Sequence, residues 1–236
     1  MTRELVLNEQ LAIGYIHNGQ VTAPFMRSMM ELQGTAAERG EYYRMLDCHG
    51  MFVAANRSRV ADVFLDETSA EWLLFIDTDV GFEVEMVNRL LSYGDAQHQI
   101  IAGLCFTWLQ LPDGSKVLGP NWWERNAAGE EQTVIEIRQD RLNPLSYCGM
   151  AFTLIGRTVL TEVRKAYKHF VGLTTFGYDI LHIGNTVTLG GEDISFCKRA
   201  EYCGFSTWGA GDVTVDHYKQ HMENLQTFSM LYGPRK

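Results

Sequence analysis

The chain has 236 residues, of which 46% are apolar, and a formal net charge of −9. This length and apolar fraction suit one folded domain with a sizeable core and exclude disorder over long stretches. The excess of acidic residues gives no strong indication of nucleic-acid binding, because neutralising phosphates needs a basic face. No apolar run is long enough to span a membrane.

The first half of the chain begins with a predicted strand over 11–16, which the turn at Asn18 and Gly19 ends. Thr22 then caps a helix that has Pro24 in its first turn. The polar segment 34–40 predicts a break after this helix.

The next segments alternate between strand and helix. We predict a strand over 43–49, a helix from 56 to about 66 and a strand over 72–76, whose five consecutive apolar residues indicate burial on both faces. A helix marked by Val84 and Val87 follows, and then a strand over 100–106. This alternation predicts an α/β fold with a mostly parallel, doubly wound sheet flanked by helices.

The second half, from residue 107, is less regular. Trp122 and Trp123 stand among polar residues, and they indicate an aromatic platform for an acceptor, a hydrophobic plug under a loop or a partner-binding patch. The later predicted elements are a strand over 147–155, a helix over 157–167, a helix opening at 192 and a strand over 212–216. No repeat or linker divides the chain, so we predict a single domain over 1–236.

The five cysteines form no Cys-x-x-Cys pair and lie mostly in apolar segments. We therefore expect reduced, mostly buried thiols and no zinc site. The amino-terminal residues lack the basic-then-apolar layout of a signal peptide. Together these features predict a cytoplasmic protein.

Two carboxylates, Asp77 and Asp79, come directly after the buried strand 72–76. They are expected at the carboxyl edge of the sheet, where open α/β sheets bind ligands. Mg²⁺ and Mn²⁺ are commonly held by one or two carboxylates together with substrate phosphates. The alternative is a solvated acidic turn, but the position after the buried strand favours a metal site.

Three further acidic or basic positions have both a functional and a structural interpretation. Glu192 and Asp193 open a helix, where the helix dipole stabilises acids, and a carboxylate there could also act as a general base. His217 is a candidate third metal ligand or an ordinary histidine.

Arg57 and Arg59 lie at a predicted helix start, where a guanidinium can bind a diphosphate or simply form a solvated basic end. His17 and Asn18, at the end of the first strand, could face a nucleoside or only form the turn.

The order of these pieces resembles the GT-A glycosyltransferases, especially family 2-like members and the Anp1-type mannosyltransferases. The resemblance covers most of the chain and is weakest over 107–145. It rests on Ala-Asn-Arg at 55–57, Trp-Leu-Leu-Phe-Ile-Asp-Thr-Asp at 72–79, Cys-Gly-Met-Ala-Phe at 148–152 and Gly-Glu-Asp-Ile-Ser-Phe-Cys-Lys-Arg at 191–199.

The resemblance implies the GT-A fold, with a nucleotide-binding half over about 1–106 and an acceptor-side half over about 107–236. It also implies Mn²⁺ or Mg²⁺, a UDP- or GDP-linked sugar donor, and a hydroxyl acceptor on a glycan, a protein or another compound. Asp79 would bind the metal, Asp77 would contact the ribose or a metal-bound water, and His217 would complete the coordination shell.

By the same resemblance, Asp193 would be the base of an inverting transfer, with Glu192 beside it. Gly149 and Met150 would line the sugar or acceptor pocket, and Asp47 is the candidate for reading the nucleotide base. The likeness to the mannosyltransferases keeps a retaining outcome open.

Two alternatives compete with a transferase. A phosphatase of the haloacid dehalogenase type also uses an Asp-x-Asp loop, but it expects Thr or Val where Gly81 stands and places the motif behind the first strand. The other alternative is a nucleotide-sugar-binding module that has the fold without turnover.

Overall fold

The computed structural model describes residues 5–50, 52–110, 114–134, 136–183, 186–218 and 222–223. Five helices are formed by these residues: α1 (Ala23–Glu38), α2 (Val53–Glu67), α3 (Val84–Tyr93), α4 (Arg157–Ala166) and α5 (Glu192–Tyr202). The strands are β1 (Val6–His17), β2 (Glu41–His49), β3 (Trp72–Ile76), β4 (Val80–Gly81), β5 (Ile100–Leu104), β6 (Phe106–Gln110), β7 (Lys116–Pro120), β8 (Trp122–Arg125), β9 (Glu131–Thr133), β10 (Leu142–Leu145), β11 (Tyr147–Cys148), β12 (Phe152–Gly156), β13 (Ile180–Ile183), β14 (Thr186–Leu189), β15 (Thr207–Thr214), β16 (Asp216–Tyr218) and β17 (Met222–Glu223).

The central sheet has seven strands in the order β10, β15, β5, β12, β3, β1, β2. β1 pairs in parallel with both β2 and β3, and β5 pairs in parallel with β15. β12 runs antiparallel between β3 and β5, and β10 is an antiparallel edge strand. The predicted α/β class with a mostly parallel sheet is confirmed. β12 is antiparallel because it leaves the carboxyl edge of the sheet, where Ala151 O accepts from Asp77 N at 2.8 Å.

β3 is a fully buried strand of the nucleotide side, as its apolar run predicts. All five of its residues are buried. Leu73 and Phe75 pack into the core on one face of the sheet, whereas Leu74 and Ile76 pack into the core on the other. Because both faces are covered, the register of β3 is fixed, and Asp77 emerges at a defined point of the edge.

α1 begins as predicted, but it is longer than predicted. Thr22 caps it, since its Oγ1 accepts from Phe25 N at 3.3 Å. The predicted break over 34–40 is wrong, because the helix continues to Glu38. Leu32 and Ala36 are fully buried on the same face, and this packing outweighs the low helix propensity of the intervening glycine.

The two tryptophans have different environments. Trp122 is 1% exposed, and its Nε1 donates to Gly103 O at 3.2 Å. A Cβ on Gly209 would lie 2.8 Å from its indole ring, so the ring fills the space beside β15. Trp123 stacks on Tyr147 with ring centroids 5.0 Å apart. Trp122 is therefore a hydrophobic plug and not a sugar platform.

All five cysteines are free thiols, three of them buried and two half-buried, as expected. Across the described ranges, no helix has the length and apolar character needed to cross a bilayer. Residues 1–4, on which the signal-peptide prediction rests, lie outside the described part of the chain.

Candidate functional site

A cavity of about 460 Å³ opens at the carboxyl edge of the sheet. Its wall combines the end of β1, the start of α2, the turn after β3 and the start of α5. The residues that line it are Ile16, Asn18, Gln20, Val21, Thr22, Val53, Arg57, Asp77, Thr78, Asp79 and Glu192. Chain segments that are far apart in sequence therefore bring most of the predicted charged residues to one place.

A second cavity, of about 740 Å³, adjoins the first and has a mostly apolar lining. Four residues belong to both walls: Ile16, Asn18, Val53 and Thr78. The second cavity also contains His17, His49 and Asn56. The two cavities form one cleft with a charged end and a less polar end.

Arg57 lies at the charged end and is 4% exposed. Its Nη2 donates to Asp77 Oδ1 at 2.8 Å, and its Nε lies 3.3 Å from Glu192 Oε1. Burial lowers the pKa of Arg57, but Asp77 and Glu192 outweigh this effect and raise the pKa above its ordinary value. The guanidinium of Arg57 is therefore always positively charged, and it is paired with the carboxylates of Asp77 and Glu192.

The start of α2 explains why Arg57 faces the cavity. Asn56 Nδ2 donates to Gly50 O at 3.2 Å and fixes the entry of the chain into the helix. Arg57 then points into the protein, whereas Arg59, two positions further along α2, is exposed. Of the two arginines considered from the sequence, Arg57 reaches the cavity.

Asp79 and His217 form the second charged contact of the site. His217 Nε2 lies 3.3 Å from Asp79 Oδ2, and its Nδ1 lies 3.1 Å from Phe106 O. Although burial lowers the pKa of His217, its hydrogen bonds to Asp79 and Cys105 raise that pKa to about 10. β16 carries His217 to this point by pairing with β4, which directly follows Asp79.

Metal binding at this pair would displace the imidazole proton, because only the neutral ring ligates a metal, and the spacing of the two residues suits a divalent cation. Two adjacent ligands of an octahedral ion, each about 2.1 Å from it, stand about 3 Å apart. The carbonyl of Phe106 would orient the imidazole of His217 as an outer-shell partner. Among the described residues, no group of three His, Cys, Asp or Glu side chains is arranged for a metal. The predicted ligand set of Asp77, Asp79 and His217 therefore stays a prediction, and Asp77 is held by Arg57.

Glu192 and Asp193 open α5, as predicted; Glu192 lines the charged cavity, whereas Asp193 is the next residue of the helix and is not part of that lining. Asp193 Oδ1 accepts from Ile194 N at 2.8 Å. Burial and the neighbouring Glu192 raise the pKa of Asp193 to about 6, against the opposing effects of Ile194 N and Arg57. A carboxylate with a pKa near neutrality suits proton transfer at physiological pH.

The less polar end of the cleft contains a pair of histidines. His17 stacks on His49 with ring centroids 5.8 Å apart, and His17 Nε2 lies 3.3 Å from Asp47 Oδ2. His17 Nδ1 accepts from Gly19 N at 3.0 Å, which fixes the ring. His17 and Asn18 line the cleft as expected, while Asp47 stands behind His17 with half of its side chain exposed.

Gly149 and Met150 do not line either cavity. Met150 is 2% exposed and packs in the core, and only its carbonyl reaches the site, accepting from Arg57 Nη1 at 3.4 Å. A Cβ on Gly149 would collide with the amide of Asn121. The Met150 side chain therefore reaches neither of these two cavities, and its predicted role in the sugar or acceptor pocket stays a prediction.

Several residues of the cavity walls have no functional signal in the sequence. Thr22 N and Oγ1 both bond to Thr78 O, at 2.9 and 3.0 Å, and so join the start of α1 to the acidic turn. His49 is also part of the cleft. Thr22 carries only the signal of a helix cap, and its contact with Thr78 depends on the packing of α1 against the sheet.

Neither family models nor curated proteins match this sequence. Solved structures are similar to it, among them A197 from STIV and GalNAc-T7. A197 from STIV matches with a TM-score of 0.51 and 17% identity over 89% of this chain and 86% of that chain. GalNAc-T7, crystallised with UDP, GalNAc and Mn²⁺, matches with a TM-score of 0.55 and 10% identity over 89% of this chain. The chain has the GT-A fold.

At these identities the likeness shows the fold alone. The match also covers only 43% of the GalNAc-T7 chain. In the GT-A fold of this protein, the acidic turn after β3 and the start of α5 meet at the carboxyl edge of the sheet.

Proposed function

We propose that this protein is a metal-dependent glycosyltransferase that moves a sugar from a UDP- or GDP-linked donor to an acceptor hydroxyl. The observation that carries the proposal is the cavity whose wall combines Asp77, Asp79, Arg57 and Glu192 at the carboxyl edge of the sheet. The adjoining, less polar cavity provides space for the nucleoside. The acceptor is a glycan, a protein or another hydroxyl compound.

The charges on the wall support dependence on a divalent cation. Asp77, Asp79 and Glu192 are acidic, and Arg57 is already paired with two of them. A donor diphosphate would add negative charge to the same space. When bound, Mn²⁺ or Mg²⁺ offsets this charge and acts as a Lewis acid for the leaving nucleoside diphosphate. The Mn²⁺ and UDP in the GalNAc-T7 structure agree with this choice.

The chain's own residues have separate roles in this proposal. Asp79 and His217 would hold the metal, and Asp77 would contact the ribose or a water bound to the metal. Asp193 accepts the proton of the acceptor hydroxyl while that oxygen attacks the anomeric carbon, and the bond to the diphosphate breaks on the opposite face. With a pKa of about 6, Asp193 is ionised at pH 7 and still basic enough to act.

This mechanism inverts the anomeric configuration, and retention is the alternative. Proton NMR of the first product formed distinguishes them, because the coupling constant of the anomeric proton reports its configuration. Retained configuration would remove Asp193 from the role of direct base and leave the donor site unchanged.

Two observations disfavour the phosphatase alternative. Asp77 follows the third strand of the chain rather than the first. Its Oδ1 also accepts from Arg57 at 2.8 Å, which withdraws it from nucleophilic attack. The non-catalytic module is distinguished by experiment.

Calorimetric titration of UDP, GDP and their common sugar conjugates, first with Mn²⁺ and then with EDTA, tests the proposal. We expect one nucleotide to bind, and we expect binding to be lost on chelation and in Asp79→Ala. Asp140→Ala, at an exposed carboxylate paired with Arg141, is the matched control. Failure of every nucleotide to bind with metal present would refute the proposal, and donor binding without transfer would favour the module.

A further inference from the structure

The guanidinium of Arg57 is surrounded by protein groups. Nη2 donates to Asp77 at 2.8 Å, and Nη1 donates to Met150 O at 3.4 Å. The guanidinium carbon lies 5.5 Å from the centroid of the Phe75 ring. Since the Arg57 side chain is 5% exposed, little of the group is available to a diphosphate.

The contact with Glu192 differs from the contact with Asp77. Arg57 Nε lies 3.3 Å from Glu192 Oε1, yet this buried N–H has no aligned hydrogen-bond acceptor. Arg57 and Glu192 therefore attract each other as opposite charges, but no hydrogen bond forms between Arg57 Nε and Glu192 Oε1. Because a buried donor without an acceptor is unfavourable, a small adjustment of Glu192 towards the N–H would be stabilising.

Arg57 thus contacts both sides of the reaction centre. Asp77 belongs to the turn after β3, on the donor side, and Glu192 opens α5 beside the proposed base Asp193. One planar side chain from a third element, α2, reaches both carboxylates. The planar guanidinium holds its N–H donors in fixed directions, so it constrains the geometry of both contacts and also supplies the positive charge.

We infer that Arg57 is a positioning residue that sets the separation between the donor-side carboxylate of Asp77 and the acceptor-side carboxylate of Glu192. This inference rests on the proposed transferase function and replaces the expectation that Arg57 binds phosphate. Arg57 acts through the two carboxylates, so that the anomeric carbon and the acceptor hydroxyl meet at reactive distance. A misplacement of about 1 Å in such a geometry lowers the rate about 100-fold.

Arg57→Lys is the first test, since it keeps the positive charge and removes the planar guanidinium with its fixed N–H donors. We expect kcat to fall about 100-fold, with the donor KM and the calorimetric donor Kd within about threefold of wild type. A phosphate ligand predicts the reverse, namely weaker donor binding at similar kcat, and that outcome would overturn the inference.

Arg157→Lys is the matched control for loss of a partly buried arginine. Arg157 joins the start of α4 to the far end of α2 by donating to the carbonyls of Phe64, Leu65, Thr68 and Ala70. We expect this substitution to lower Tm without changing kcat. An equal fall of kcat in both variants would show that Arg57 contributes only to stability.

A double-mutant cycle gives the second test. Because Arg57 acts through Glu192, the kcat of Arg57→Lys combined with Glu192→Gln should be close to that of the worse single variant. If Arg57→Lys does not fold, the cycle of Asp77→Asn and Glu192→Gln replaces it, with coupling expected through the shared arginine. Independent, multiplicative losses in the cycle that is measured would overturn the inference.

Failure of this inference is distinguishable from failure of the proposed function. Wild-type donor binding and transfer are measured in the same assays. Their absence refutes the transferase itself, whereas normal wild-type activity with an unchanged kcat in Arg57→Lys refutes only the positioning role.

Discussion

His217 Nε2 faces Asp79 Oδ2 at 3.3 Å, although the two residues are far apart in the sequence. The contact depends on the short pairing of β16 with β4, in which His217 stands opposite Val80. It also places the imidazole beside the acidic turn and against Phe106 O. This spacing supports the proposal that both residues bind one cation.

Removal of the imidazole should therefore weaken the metal site. We expect His217→Ala to reduce Mn²⁺ affinity at least about tenfold, since loss even of an outer-shell partner has an effect of that size. Mn²⁺ titration followed by electron paramagnetic resonance measures this. His98→Ala, at a partly exposed histidine paired with Asp95, is the control. Equal affinity in wild type and His217→Ala would contradict the assignment.

The pH dependence of transfer should report Asp193. Its pKa is raised to about 6, and the base must be deprotonated to act. We expect kcat to be constant above about pH 6 and to fall about tenfold per unit below it. Initial rates between pH 5 and 8 at saturating donor measure this profile. A rate that is flat across the range would contradict a role for Asp193 as the base.

The same shift predicts an effect on stability. The folded-state pKa of Asp193 exceeds its ordinary value of 3.8, so the folded protein binds more protons than the unfolded chain between about pH 4 and 6. Stability is therefore lost as pH rises through this window and stays reduced above it. We expect Asp193→Asn to be more stable than wild type at pH 8 by about 1–3 kcal/mol.

Urea unfolding of both proteins at pH 8 and pH 5 checks this. The difference between wild type and Asp193→Asn should shrink at pH 5, where the wild-type carboxyl is largely protonated in the folded state. A difference that does not depend on pH would mean that burial of Asp193 has no net cost.

Transfer by Asp193→Asn should be abolished while donor binding is retained.

The two neighbouring tryptophans should respond differently to truncation. Trp122→Ala removes a buried ring and its hydrogen bond to Gly103 O, so we expect a loss of about 3–5 kcal/mol. Trp123→Ala, at a half-buried ring stacked on Tyr147, should have a smaller effect. Urea unfolding of both variants compares them, and equal losses would contradict the plug role of Trp122.

The parts of the fold that follow local rules could be predicted from the sequence. The apolar run of β3 and the cap at Thr22 both lie where the sequence places them. The error over 34–40 has a tertiary cause, because burial of Leu32 and Ala36 extends α1 through a polar-looking segment. Trp122 shows the same limit, since its burial depends on contact with β15.

The site was predictable as a set of residue types but not as an arrangement. Asp79, Glu192 and Arg57 meet at one cavity as expected. The sequence could not show that Arg57 is committed to two carboxylates, because that depends on how α2 and α5 pack. The raised pKa of Asp193 likewise results from burial, which has no local sequence signal.

The central position of β12 affects how the protein is made. β12 fills the gap between β3 and β5 but is synthesised after both. A nascent chain therefore carries two apolar strands with unsatisfied backbone edges for several seconds at ordinary elongation rates. The amino-terminal half cannot close its own sheet, so expression of residues 1–106 alone should give an insoluble product. Translation through β12 pairs the facing edges of β3 and β5, and the other edge of β5 is paired only after β15 has been made.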